Sequence, residues 1–193
     1  MKFVLRNANI NDIEGLAVCY CNCMHDTYQS IIPSEALEEI NIQKAVKKFR
    51  NEFVEQIADS DKSIFIIENE DRSITGFSIA GAAKTRSAKT LGDGEIFLLH
   101  VDPEHQGYGL GKALMLANAR WLISRGLFTG GAWVHEANDI GIRFCEDLGA
   151  RICGKKRKTK NNYTHNLVAM CWEDFSQVAQ LEAEVPNWGG YER

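Results

Sequence analysis

Polar and apolar positions alternate along this chain in blocks that change period several times. Residues Lys2 to Arg6 alternate as an edge strand does, and the polar stretch Asn9 to Glu14 supplies helix-capping residues ahead of an apolar-periodic run to Met24. Pro33 breaks the helical pattern, which resumes from Asn41 to Ile57 through Ala45, Val46, Phe49 and Phe53. Ser63 to Glu68 and Ile74 to Ala82, joined by a polar turn, predict an antiparallel hairpin, followed by a polar loop from Lys84 to Gly92. Glu95 to Val101 is almost continuously apolar and of strand length, the pattern of a central strand covered on both faces. It leads through Asp102 to His105 and a glycine-spaced turn into a helix from about Tyr108 to Arg125, with Leu110, Leu114, Ala117 and Trp121 as its buried stripe. Phe128 to His135 predicts a strand, Asn138 to Leu148 a helix, and Ala150 to Arg157 and Leu167 to Trp172 the last two strands. The tail from Glu173 either packs as a short helix or stays loose.

Strands and helices therefore mix, with hairpins at both ends of a β-α-β-α-β middle. At 193 residues, one domain is expected. With 45% hydrophobic and 25% charged residues the chain carries enough apolar surface to form a core. A formal net charge of -4 gives no global attraction to nucleic acid or anionic membrane, and neither partner is expected. The basic run Lys155 to Lys160 falls between two alternating stretches and is expected to be a solvated hairpin loop. Charges interrupt the short apolar runs near Met1, so neither a signal peptide nor a membrane span is expected, and a cytoplasmic location is.

Cys19, Cys21, Cys23, Cys145, Cys153 and Cys171 have no Cys-x-x-Cys spacing, and reduced thiols are expected. On a helix Cys19 and Cys23 share a face while Cys21 points roughly the other way, a poor arrangement for a metal, and no metal site is expected.

The chemistry concentrates at Gln106 to Lys112. Glycines at 107, 109 and 111 allow close backbone approach, and a helix starting there offers unpaired N–H groups and a positive dipole end to an anion, above all to phosphate. A dinucleotide fingerprint would need glycine where Lys112 stands. A Walker A loop would need glycine at Gln106 and a hydroxyl residue at Ala113.

Gln106-Gly107-Tyr108-Gly109-Leu110-Gly111 does match the (Arg/Gln)-x-x-Gly-x-(Gly/Ala) signature of the GNAT superfamily of acyl-CoA N-acyltransferases. The run Gly94 to Gln106 resembles that family's fourth strand and the turn into its third helix. Trp133 to Asn138, followed by Phe144-Cys145-Glu146-Asp147-Leu148-Gly149, resembles its strand-Asn-helix element ending in Phe-Tyr-Glu-Lys-Leu-Gly. Tyr28 to Pro33 is similar to a stretch after the first helix in small bacterial-type members, so the resemblance spans about Lys2 to Trp172.

It implies an α/β (α+β) fold: a mixed, mostly antiparallel sheet of six to seven strands with splayed central strands and about four flanking helices. It also divides the chain into an N-acetyltransferase domain over residues 1–173 and a tail over 174–193. The implied reaction moves an acetyl group from acetyl-CoA to a primary amine of a small molecule or peptide; a non-catalytic acyl-CoA-binding module is the alternative. The resemblance puts the cofactor's pantetheine arm on the backbone of Leu99, His100 and Val101. It puts the pyrophosphate on Gln106, Gly107, Tyr108, Gly109, Leu110, Gly111 and Lys112, with Asn138 at the opposite lip. Glu95 is the implied general base and an acceptor contact, and Tyr28 a second acceptor contact. Cys145 stands where the family's thiolate-protonating tyrosine would be. A homodimer through the last strands is implied by analogy. Polyamines, aminoglycosides, amino acids and protein termini all stay open as acceptors.

Overall fold

The structure is a computed structural model that describes residues 2–59, 62–160 and 163–192. Eight strands form one sheet: β1 (Phe3–Asn7), β2 (Lys62–Glu68), β3 (Ile74–Ala82), β4 (Gly94–Val101), β5 (Gly130–His135), β6 (Arg151–Lys160), β7 (Tyr163–Trp172) and β8 (Trp188–Glu192). The helices are α1 (Ile13–Tyr28), α2 (Ser34–Glu38), α3 (Ile42–Asp59), α4 (Thr85–Leu91), α5 (Leu110–Ser124), α6 (Asp139–Asp147) and α7 (Phe175–Ala179). The strand order is β6-β7-β5-β4-β3-β2-β1-β8. Neighbours are antiparallel except β4 beside β5 and β1 beside β8.

Helices cover both faces. On one, α1 and α3 pack on β2 and β3: Leu16, Phe49 and Phe77 are fully buried, and the Phe49 and Phe77 rings meet edge to face at 5.4 Å. Cys19, Cys21 and Cys23 all lie buried in this layer as small apolar side chains, despite the rotation between them. On the other face, α5 seats Leu110 and Leu114 against Phe3, Leu5, Phe65 and Ile67, and seats Met115, Leu116 and Ala119 against Val168 and Met170. Full burial of each large side chain contributes about 1.5–3 kcal/mol, so this apolar stripe, rather than helix propensity, fixes α5 on the sheet.

The pairing of β4 with β5 is short. Gly94 lies opposite Gly130 and Glu95 opposite Gly131, and the register goes no further. Glycine is required there: a Cβ at Gly130 would sit 2.3 Å from the Gly94 carbonyl oxygen. Beyond that point β4 bulges at Phe97, as the shift from Ile79↔Leu98 to Ala80↔Ile96 on β3 records, and the two strands part.

Several expectations need correction. The sheet has eight strands and seven helices flank it among the described residues, more than the sequence patterns suggested. Lys84 to Gly92 holds helix α4 rather than a loop, and α1 runs past Met24 to Tyr28. The strand expected from Phe128 begins at Gly130. The basic run Lys155 to Lys160 is not a loop but half of strand β6, in ladder register with β7. Its lysines line the sheet's edge strand, where charge discourages pairing with another chain. The tail supplies both α7 and β8, the latter parallel to β1. Cys153 and Cys171 were expected as free thiols; the structure joins them as a disulfide between β6 and β7, with Cα atoms 6.0 Å apart.

Candidate active site

β4 and β5 part beyond Glu95, and the residues around the cleft between them come from several elements. Below Val101, Asp102 caps the next turn by accepting from the Glu104 N–H at 3.2 Å. Its other oxygen accepts from the Asn22 amide at 3.1 Å, which ties the turn to α1. Gln106 folds back and donates to the Val101 carbonyl at 3.2 Å, so its side chain shapes the turn from within. Gly107 and Gly109 take left-handed backbone angles, φ +81° and +77°, which suit glycine and few other residues. Gly109 is the N-cap of α5 and caps it with no side chain, so the first N–H groups of that helix have neither an intrahelical nor a side-chain capping partner. Behind the turn runs the chain near Glu184: a Cβ on Gly109 would lie 2.5 Å from the Glu184 carbonyl oxygen. Around Gly107 there is open space. Gly111 lets the Phe144 ring of α6 approach the first turn of α5. Tyr108 is largely exposed, 6.0 Å from the Phe3 ring, and Lys112 is half-buried on the first turn of α5.

On β4, Leu99 and Val101 point their side chains toward α5, while the His100 ring goes to the opposite face, between Phe77 and Tyr20. What these three residues offer the cleft is therefore backbone, on the side where β5 has turned away. Burial, helped by the Lys48 ammonium, pushes the His100 imidazole down to about 3, so the ring is neutral at physiological pH.

At the other lip, Asn138 caps α6 by accepting from the Gly141 N–H at 2.9 Å. The same amide acts on the Tyr28 phenol, lowering a pKa that burial raises, which brings the end of α1 and the start of α6 together. Glu95 is buried at the point where the strands part, and its Oε2 has no hydrogen-bond partner. Cys145 packs in the apolar layer with Met115, Leu116 and Ala119, where burial pushes its thiol up to about 12.

Four residues that the sequence patterns passed over stand on the same face as Glu95. Trp133 donates to the Ser87 hydroxyl of α4 at 3.3 Å, and the Lys156 ammonium lies 3.6 Å from the centre of the Trp133 ring. His135 accepts from the Ala137 N–H at its Nδ1, at 3.2 Å, so the neutral ring carries its proton on Nε2, which is buried without a partner. Only the strand alternation of Gly131, Trp133 and His135 could have signalled this face, because the sequence shows neither their partners nor the location of α4.

A family model for the acetyltransferase (GNAT) family matches residues 27–150. YuaI of Bacillus subtilis strain 168, described as an uncharacterized N-acetyltransferase, is 29% identical over 185 residues, covering 92% of this chain and 96% of that protein. Mycothiol acetyltransferase of Thermobispora bispora is 48% identical over 56 residues, which span 29% of this chain and only 19% of that longer protein. Among solved structures, the PaiA N-acetyltransferase of Thermoplasma acidophilum in complex with coenzyme A superposes with a TM-score of 0.70 at 21% identity, covering 89% of this chain and all of that one. At that identity the superposition speaks for the fold. No helix among the described residues is long and apolar enough to cross a membrane. With its parted central strands and its glycine turn at the head of α5, the chain belongs to the GNAT family of acetyltransferases.

Proposed function

We propose that the chain transfers the acetyl group of acetyl-CoA to the amine of a small molecule or peptide by direct attack. The observation that carries this reading is one junction: β4 loses its β5 partner after Glu95 and leads, through the turn that Asp102 caps, to the glycines at the head of α5, where no side chain caps the helix. An extended amide-bearing chain can pair with the free edge of β4 at Leu99 to Val101 as an added strand does. A pyrophosphate suits the outward N–H groups of Gly107 to Lys112. The open space at Gly107 fits such a group. Asn138 and Tyr28 line the opposite lip.

An amine reaches the cleft as an ammonium ion and must lose a proton before its lone pair can attack. Glu95, buried with an unpartnered oxygen, attracts the ammonium and takes that proton directly or through a water. The neutral nitrogen then attacks the thioester carbonyl; the new C–N bond forms, the C–S bond breaks, and coenzyme A leaves as its thiolate. Backbone N–H donors stabilise the developing oxyanion. Cys145 is poorly suited to protonate that thiolate: with its pKa raised to about 12 it is a weaker acid than an ordinary thiol near 8.5. The departing thiolate can instead take its proton from solvent.

The test is acetyl-CoA-dependent thiol release across an amine panel, with wild type and Glu95→Gln. The expected loss in kcat/KM on substitution is about 10²–10⁴-fold at neutral pH, the usual contribution of a positioned base, with coenzyme A affinity unchanged. Full activity in Glu95→Gln would remove the assigned base. Failure of the wild type to bind coenzyme A would remove the whole reading.

A further inference from the structure

The face that carries Glu95 also carries a cation with no carboxylate of its own. Lys156 stands on β6 in the row that runs through Leu167 to His135, and shares its face with Gly154, where a Cβ would meet Thr90 of α4 at 2.7 Å. The neighbouring Lys155, on the opposite face, pairs with Glu136. Lys156 forms no such pair among the described residues; its ammonium rests on the Trp133 ring at 3.6 Å. Burial, with Lys158 nearby, lowers the Lys156 pKa, and Glu95 is close enough to oppose that shift in part. Lys84, at the N-cap of α4, adds a third cation 6.0 Å from the ring of Phe97 on β4.

A buried carboxylate and a half-buried ammonium thus share one face without joining in an ion pair among the described residues. Trp133 accounts for the separation: its ring gives the ammonium a resting place away from Glu95. A ligand complementary to this pattern carries a cation toward Glu95 and an anion toward Lys156. A diamine or polyamine would bring its second ammonium against Lys156 and Lys158. Taking the acetyl-transfer reading as its basis, we propose that the acceptor is an amine that also carries an acidic group, a carboxylate or a phosphate. Glu95 receives the ammonium end and Lys156, on its Trp133 shelf, holds the acid.

Matched acceptors test this: 4-aminobutyrate against 4-aminobutanol, 2-aminoethyl phosphate against ethanolamine, and putrescine as the dication. Thiol release is measured at saturating acetyl-CoA in wild type, Lys156→Met and Lys156→Arg, and each variant's coenzyme A affinity is read by calorimetry. The expected wild-type result is a kcat/KM at least about tenfold higher for an acid-bearing member than for its neutral partner, the usual scale of a charge-assisted hydrogen bond. Comparing the two pairs tells a carboxylate from a phosphate. Lys156→Met should erase that preference, mainly through KM. Lys156→Arg should retain most of it. The proposal is overturned if coenzyme A binds but no acid-bearing amine is acetylated, or if putrescine or the neutral amines are preferred. It is equally overturned if Lys156→Met slows all acceptors alike, as it would were the lysine there only to neutralise Glu95 or support Trp133. Absence of coenzyme A binding by the wild type would instead refute the acetyl-transfer reading beneath it.

Discussion

Gly107 is the place to perturb the proposed pyrophosphate turn without disturbing the fold. A Cβ there meets nothing within 4 Å, so the cost of substitution is confined to the left-handed backbone at φ +81°. That cost is about 1–2 kcal/mol, and Asn and Asp tolerate such angles best. Gly107→Asn and Gly107→Asp therefore share nearly the same backbone penalty and shape and differ in one negative charge. A carboxylate roughly 7 Å from a bound phosphate charge is opposed by about 0.6 kcal/mol at the dielectric of water and about 2.4 kcal/mol at an effective value near 20. An exposed turn falls between these limits, so the Asp variant should bind coenzyme A about 5- to 30-fold more weakly than the Asn variant. Calorimetric titration of both variants at low and high salt measures the difference, which should shrink as ionic strength rises. Thermal midpoints should fall together, by about 2–8 °C for a chain of this size. Equal affinity of the two variants, or a gap insensitive to salt, would refute the placement of the pyrophosphate at this turn.

Gly109→Ala should act on stability instead. Its Cβ would sit 2.5 Å from the Glu184 carbonyl oxygen on top of a strained φ of +77°, so a loss of about 2–4 kcal/mol is expected, read as a lowered urea midpoint; a wild-type midpoint would mean that the chain near Glu184 yields freely. His100 should make stability depend on pH. Its folded-state pKa of about 3 lies below the unfolded value near 6.5, so the unfolded state binds the extra proton. Its contribution is intact above pH 6.5 and lost as pH falls toward 3, by about 1.4 kcal/mol for each unit. Urea titrations between pH 7 and 5 should show a slope that His100→Asn lacks; parallel slopes would contradict a neutral ring between Phe77 and Tyr20.

The sequence made the β4–turn–α5 unit legible because each part of it is local: a continuous apolar run, glycines at fixed offsets and a helical stripe. The parting of β4 from β5 is tertiary, and nothing in Glu95 to Val101 itself shows that its partner leaves after two pairs of residues. Lys155 to Lys160 misled for a related reason. Charge density reports solvent exposure, which an edge strand shares with a loop, and only the ladder to β7 distinguishes them. The same ladder brings Cys153 beside Cys171, 18 residues apart in sequence. Glu95 was visible as a lone carboxylate at a strand end. Lys156, Trp133 and Ser87 come onto its face only when β5, β6 and α4 are in place, which no local pattern along the chain shows.

The wall behind the glycine turn has a kinetic side. The chain near Glu184 leads into β8, which among the described residues pairs with β1 alone, and Leu5 and Tyr191 pair across almost the full 193 residues. Closing so long a loop carries a large entropy cost, and contacts between such distant segments form late and slowly. The α5 helix and its central strands can assemble from nearby sequence, but the backing of Gly109 cannot. Recovery of coenzyme A affinity during refolding should therefore lag recovery of helical signal, because the proposed cofactor turn takes its backing from a segment distant in sequence.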